Sequence, residues 1–220
     1  MLSHDPYNVR AESTLFRIEV IKNITSENEI NLLVSVFRHV SLYNLLVDLN
    51  GNLNHKTHIK GIVYDSLNSI VAIFNQRERY LQLNIRSLIE HIARIVLNKC
   101  YAGNDFDGTV RRRDFDYLKA NHASENWRYM HDVYIRACQF LHFSPQANLN
   151  VSSKLFQLLE NDCVSSQKSL IRNLHRTSTA IMSIFLRYYH VEIASAFFRS
   201  KSDLKFLLGG KLYSDFLSLE

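Results

Sequence analysis

Apolar residues along this chain recur at helical spacing in long blocks, with short polar breaks between them. From Tyr80 to Cys100, YLQLNIRSLIEHIARIVLNKC places Leu81, Ile85, Leu88, Ile92 and Val96 on one seam of a helix. Leu83, Ile89, Ile95 and Leu97 carry the apolar surface well beyond that seam, so this segment is expected at the centre of a core. Arg86, Glu90 and Arg94 fall at i, i+4 and i+8 and share one line of the same helix. Ionised groups on so apolar a helix must be paired or must face a cleft, because desolvating a lone charge is costly.

The other segments follow in chain order. Residues 1–24 read as an N-terminal appendage, in which Leu15–Ile24 fits either an amphipathic helix or a short strand. Ser26 and Glu29 read as a capping box opening a helix over Glu27–Leu49, with Ile30, Leu33, Val34, Phe37, Val40 and Leu45 facing inward. Asn50–Lys60 reads as a solvated loop, whose His55 and His58 lack the further ligands of a metal site. From Ile62 a helix runs past Ile70 and Phe74 to Arg77-Glu78-Arg79, which is either a short turn or a bend into Tyr80–Cys100. Tyr101–Arg113 is the clearest loop. Val110 stands where a calcium-binding EF-hand needs Gly, so Asp105, Asp107 and Asp116 are not a calcium set.

Ser124 is placed to cap a helix over Glu125–His142, which must end before Pro145 because the residue preceding a proline resists helical geometry. A short helix over Val151–Asn161 comes next. A long one over Ser165–Arg199 follows, with Ile171, Leu174, Ile181, Ile184, Phe185, Tyr188 and Val191 on its buried face. Gly209-Gly210 breaks the chain before a terminal helix that packs back. Only six Gly and two Pro over 220 residues favour long helices over a many-turned β fold. The expectation is an all-α, single-domain bundle of five to seven helices over residues 25–220.

Three cysteines without a C-x-x-C pair fit reduced thiols in a cytoplasmic protein. The opening MLSHDPYNVRAES has no signal-peptide pattern, and no run approaches ~18 uninterrupted apolar residues, so no membrane association is expected. The net charge of +5 falls entirely in residues 111–220, which is where an anionic partner is to be sought. The chain has no Gly-rich phosphate loop, H-E-x-x-H, G-x-S-x-G or kinase signature, which removes the common nucleotide-dependent and hydrolase classes.

What remains is Arg and His chemistry. Two segments carry Arg, four or five residues, then His: RSLIEH at Arg86–His91 and RACQFLH at Arg136–His142. Their layout over residues 62–198 resembles the HEPN superfamily, helical domains of bacterial antiphage and toxin–antitoxin systems. Ala137 departs from the polar residue that many members carry after the Arg. The resemblance implies a metal-independent, cofactor-free endoribonuclease with RNA as partner, and a homodimer or a cognate protein partner. It implies His142 as general acid or base and Arg136 as the stabiliser of phosphorane charge, with Arg86 and Glu90 orienting them. His142 is preferred to His91 because it sits at a helix end, whereas His91 lies mid-helix among isoleucines. Arg94, Lys168, Arg172 and Arg176 are the expected RNA contacts. The alternative is a non-catalytic all-helical adaptor or regulatory subunit whose buried charges are structural.

Overall fold

The structure, a computed structural model, describes residues 5–100, 109–142, 144 and 154–219. Among these it is all helix, with no strand and ten helices instead of five to seven. In order they are α1 (Val9–Ile21), α2 (Glu27–Leu49), α3 (Lys56–Phe74), α4 (Glu78–Cys100) and α5 (Arg112–Asn121). Then come α6 (Trp127–Leu141), α7 (Leu155–Glu160), α8 (Gln167–Tyr188), α9 (His190–Ala196) and α10 (Lys201–Leu217). The calcium-loop residues Asp105 and Asp107 lie outside the described residues.

The higher helix count has local causes. The ambiguous N-terminal segment is a helix, α1, which sets Val9 and Val20 in the common core. The end of the expected loop and the residues after it, Arg112–Asn121, form α5, where the Asp114 carboxylate accepts the Arg111 N–H at 2.6 Å and closes the first turn. The long helix expected over Ser165–Arg199 breaks at Tyr189. This residue is fully buried, stacks on Phe185 with centroids 4.5 Å apart and donates its hydroxyl to Asn54 O at 3.0 Å. Beyond that break Val191 is 75% exposed, not buried as the unbroken periodicity implied.

Two helices share the centre. α4 packs against α3, α6 and α8, as its apolarity foretold, although its Leu83 is 43% exposed. α2 packs against α1, α3, α8, α9 and α10. Among the described residues α2 is the one helix long and apolar enough to cross a membrane, and most of it is buried in this core. α3 and α4 form an antiparallel hairpin across Asn75–Arg77, where Gln76 takes a left-handed φ of 53°. The tight turn is thus Asn75–Arg77, and Glu78 and Arg79 already belong to the first turn of α4. Two expected caps differ in detail. Ser26 is the N-cap of α2, but its hydroxyl makes no cap bond. Ser124 lies before the start of α6, its hydroxyl accepting from Arg187 Nη1 at 3.2 Å, while Trp127 Nε1–H donates to Glu125 at 2.6 Å.

At the head of α4 two carboxylates exchange partners with the segment that leads into α8. Asp162 Oδ1 accepts the Glu78 N–H at 2.7 Å, and the Asp162 N–H donates to Gln76 O at 3.2 Å. In return Glu78 Oε2 accepts the Val164 and Ser165 N–H groups, each at 2.8 Å, and Oε1 accepts the Ser165 hydroxyl at 2.6 Å. Glu78 is 2% exposed, so no water replaces these bonds if they are lost. We expect Glu78→Ala to lower the unfolding free energy by about 2–4 kcal/mol, with Glu78→Gln recovering part of it, as read from urea denaturation midpoints.

Where α2 meets α8, His39 is 1% exposed and its Nδ1 lies 2.8 Å from Ser178 Oγ, while Nε2 has no partner. Burial, then His175 and Arg38, hold its pKa at about 3 instead of 6.5. Below pH 6.5 the unfolded chain protonates this ring and the folded chain does not, so stability falls as pH drops through that window. Between pH 6.5 and about pH 5 this ring alone removes about 2 kcal/mol. Denaturation at the two pH values is expected to show that loss in the wild type and a smaller one in His39→Gln.

Candidate functional site

Glu90 is the hub of the charged line on α4. Its Oε1 accepts Arg86 Nε at 3.0 Å and the Tyr134 hydroxyl of α6 at 3.1 Å, and its Oε2 accepts Arg94 Nη2 at 3.1 Å. Burial opposes the charge on Arg86, but the hydrogen bond with Tyr134 and the Glu90 carboxylate outweigh it and raise its pKa. Burial, then Glu90, pushes the Tyr134 phenol up to about 12, so it remains a donor at any ordinary pH. The Arg86 guanidinium lies 5.7 Å from the Tyr134 ring centroid. The charges on α4 are thus paired, and the pairing ties α4 to α6.

Tyr134 also lines a hollow of about 470 Å³ with Arg112, His131, Ile135, Cys138 and His142. His131, Tyr134, Cys138 and His142 follow one another at three- or four-residue steps along one face of α6 and its C-cap. His131 stacks on Phe115 with centroids 4.7 Å apart and takes a hydrogen bond on Nδ1 from Lys119 Nζ at 3.1 Å. Burial, then Lys119, lowers its pKa, so the neutral ring carries its proton on Nε2 and offers that N–H as a donor. Burial raises the Cys138 thiol, which is therefore a poor nucleophile.

The expected site residues separate in this geometry. His142 is the exposed C-cap of α6, its N–H bonded to Cys138 O at 3.0 Å, and its side chain lines the hollow beside Tyr134. Arg136 points about 120° away around the same helix. It lines a different hollow, of about 170 Å³, with Glu78, Gln82 and Phe140. Within one chain the two do not share a cleft. Arg86 and Glu90 are brought together and reach the His142 hollow through Tyr134. Of the expected RNA contacts, Arg94 is bound to Glu90 and largely buried, whereas Lys168, Arg172 and Arg176 are exposed along α8.

A second imidazole pair lies between α3 and α4. His58 belongs to α3 instead of a solvated loop, and its Nδ1 is 3.3 Å from His91 Nδ1. His91 Nε2 lies 3.5 Å from Asp65 Oδ2, an oxygen otherwise without a partner. Burial, then His91, lowers the His58 pKa to about 4. Gly61 makes room for the His91 ring. No group of three metal-ligating side chains occurs among the described residues.

The residues missed from sequence were His131 and Asp65, while Arg112 belongs to a run, Arg111–Arg113, whose flanking aspartates favoured local salt bridging over phosphate contact. The available signal for the first was the His131, Tyr134, Cys138, His142 spacing, a polar stripe on an amphipathic helix. No protein-family model, curated protein or solved structure matches this chain.

A β-carbon on Gly61 would sit 2.2 Å from His91 Nε2, and the ring is hemmed in by His58 and Asp65. Gly61→Ala is expected to cost about 1–3 kcal/mol in urea denaturation through forced displacement of the ring. Gly51→Ala, with nothing within 4 Å, should stay within about 0.5 kcal/mol of wild type.

Proposed function

We propose that this chain is a HEPN-like helical effector that binds and cleaves RNA by metal-independent acid–base chemistry, in antiphage defence or a toxin–antitoxin system. The observation that carries this reading is the α6 hollow, in which two imidazoles, His131 and His142, and the Arg112 guanidinium line one space of about 470 Å³. His142 takes the proton from a ribose 2′-hydroxyl, and that oxygen bonds to the adjacent phosphorus. The bond from phosphorus to the 5′-oxygen breaks, and the leaving oxygen regains the proton from His142. The His131 Nε2–H and Arg112 face the charge that develops on the phosphoryl oxygens. Products are a 2′,3′-cyclic phosphate and a 5′-hydroxyl. Arg86 and Glu90 act at one remove by holding Tyr134.

The measurement is cleavage of a labelled single-stranded RNA by the purified chain in EDTA, with product termini identified. Wild type is expected to cleave. His142→Ala should lose about 100-fold or more in rate, and His131→Ala or Arg112→Ala about 10-fold or more. Arg136→Ala should have little effect if one chain builds the site, and a large one if a dimer partner supplies this arginine. An inert wild type, or an unchanged His142→Ala, overturns the nuclease.

The adaptor reading has its own observation. Leu15, Ile18 and Ile21 are each more than half exposed on one face of α1, an apolar stripe that no described element covers. A chain that leaves RNA intact in the same assay fits that reading.

A further inference from the structure

The last helix changes direction at Gly209, where φ is 72° and ψ is 174°, a conformation that only glycine adopts readily. This break sets Lys211 and Asp215 against α8 and the start of α6. Two hollows, of about 310 Å³ and about 240 Å³, adjoin there and share Ser183 and Asp215, so they form one trough. The larger is lined by Tyr129, His175, Arg176 and Lys211 besides those two, and Arg187 lines the smaller.

Among the described residues the charges in this trough have no ion-pair partner. No described carboxylate lies within ion-pairing distance of Arg176, Lys211 or Arg187, and Asp215 likewise meets no cation. The Arg176 guanidinium is nonetheless held in place, lying 4.2 Å from the Tyr129 ring centroid. Tyr129 is itself fixed by a 3.2 Å hydrogen bond between its hydroxyl and Thr177 Oγ1. Burial lowers the His175 pKa, so at neutral pH this ring brings hydrogen bonding without charge. Arg176, held on Tyr129, and the exposed Lys211 line the same hollow and together suit a dianionic group, and guanidinium with ammonium is a common pairing for phosphate. One carboxylate further along suits hydroxyl or amino donors and repels a bare second anion. About 310 Å³ is the lower end of the range for small-molecule sites.

We propose that the trough between α8 and the kinked end of α10 binds a phosphate monoester of nucleotide size, with its phosphate between Arg176 and Lys211 and a hydroxyl or amino group on Asp215. The trough uses the Tyr129 side of α6 and the hollow uses the His131 side, so this site does not depend on the nuclease reading.

The test is calorimetric titration of the full chain with adenosine 5′-monophosphate, adenosine, inorganic phosphate and a short oligoadenylate. Adenosine 5′-monophosphate is expected to bind with Kd on the order of 10–100 µM, and adenosine and inorganic phosphate at least about tenfold more weakly. The double variant Arg176→Ala with Lys211→Ala should lose about tenfold or more for the monophosphate. Asp215→Asn should weaken the monophosphate without weakening inorganic phosphate. The proposal is overturned if about 1 mM monophosphate gives no binding, or if the double variant binds as wild type does. Inorganic phosphate binding as tightly as the monophosphate overturns the nucleotide size. Oligoadenylate binding that needs Arg176 and Lys211 when the monophosphate does not bind overturns it in favour of an RNA track.

Discussion

An ionised carboxylate taken out of water is destabilising unless other groups replace its hydration, and α4 carries two, Glu78 and Glu90, on a helix whose broad apolar face fills the core. Each is satisfied by a different neighbour. Glu78 is met by backbone N–H groups of the segment that opens α8, and Glu90 by Arg86, Arg94 and the hydroxyl of Tyr134 on α6. His91, one residue on, is met by Asp65 and His58 of α3. Apolar seams alone tolerate rotation and sliding, since one leucine replaces another at small cost. Directional bonds do not. The polar groups of α4 therefore set which helix lies on which side and at what register.

This arrangement makes α6 a helix with two working faces. Trp127, Met130, Val133 and Ala137 are buried against the core, and His131, Tyr134, Cys138 and His142 turn towards the hollow. Tyr134 joins the two, because its ring lines the hollow while its hydroxyl is committed to Glu90. With the phenol held protonated and the Cys138 thiol pushed up by burial, neither supplies a nucleophile near neutral pH. Under the proposed nuclease reading, acid–base work in the hollow thus falls to the imidazoles, and charge stabilisation to Arg112.

Much of the fold was legible in the sequence, and the reasons differ by element. Scarce Gly and Pro, with helical spacing of Leu and Ile, indicate an all-helical chain. Gly209-Gly210 marks one of its breaks locally through the backbone, and α6 ends at Leu141, ahead of Pro145, which lies outside the described residues. Tyr189 marks another break that no local signal reveals, since the helix stops there to bury a ring and reach Asn54. The pairing of Arg86, Glu90 and Arg94 was readable from spacing, being internal to one helix. Tyr134 as the fourth member was not, because an interhelical hydrogen bond leaves no periodic trace. The Arg136 and His142 pair was read from spacing as one site, yet six residues of helix aim the two side chains into different hollows.

Charge divides the chain into two kinds of material. Residues 1–110, balanced in charge, supply the helices α2, α3 and α4 that carry nearly half of the core residues, and all of the +5 lies beyond them. Along α8 the exposed cations Lys168, Arg172, Arg176 and Arg187 extend over about 28 Å, on the side opposite the residues buried against α2 and α4. Among the described residues none of these four has a carboxylate partner, so their field reaches solvent. Such attraction decays over about 8 Å at physiological salt. It favours anions in general and cannot tell one phosphate from another. Discrimination must come from shorter-range features, such as the concavities flanking α6, which place hydrogen-bonding groups beside a positive charge.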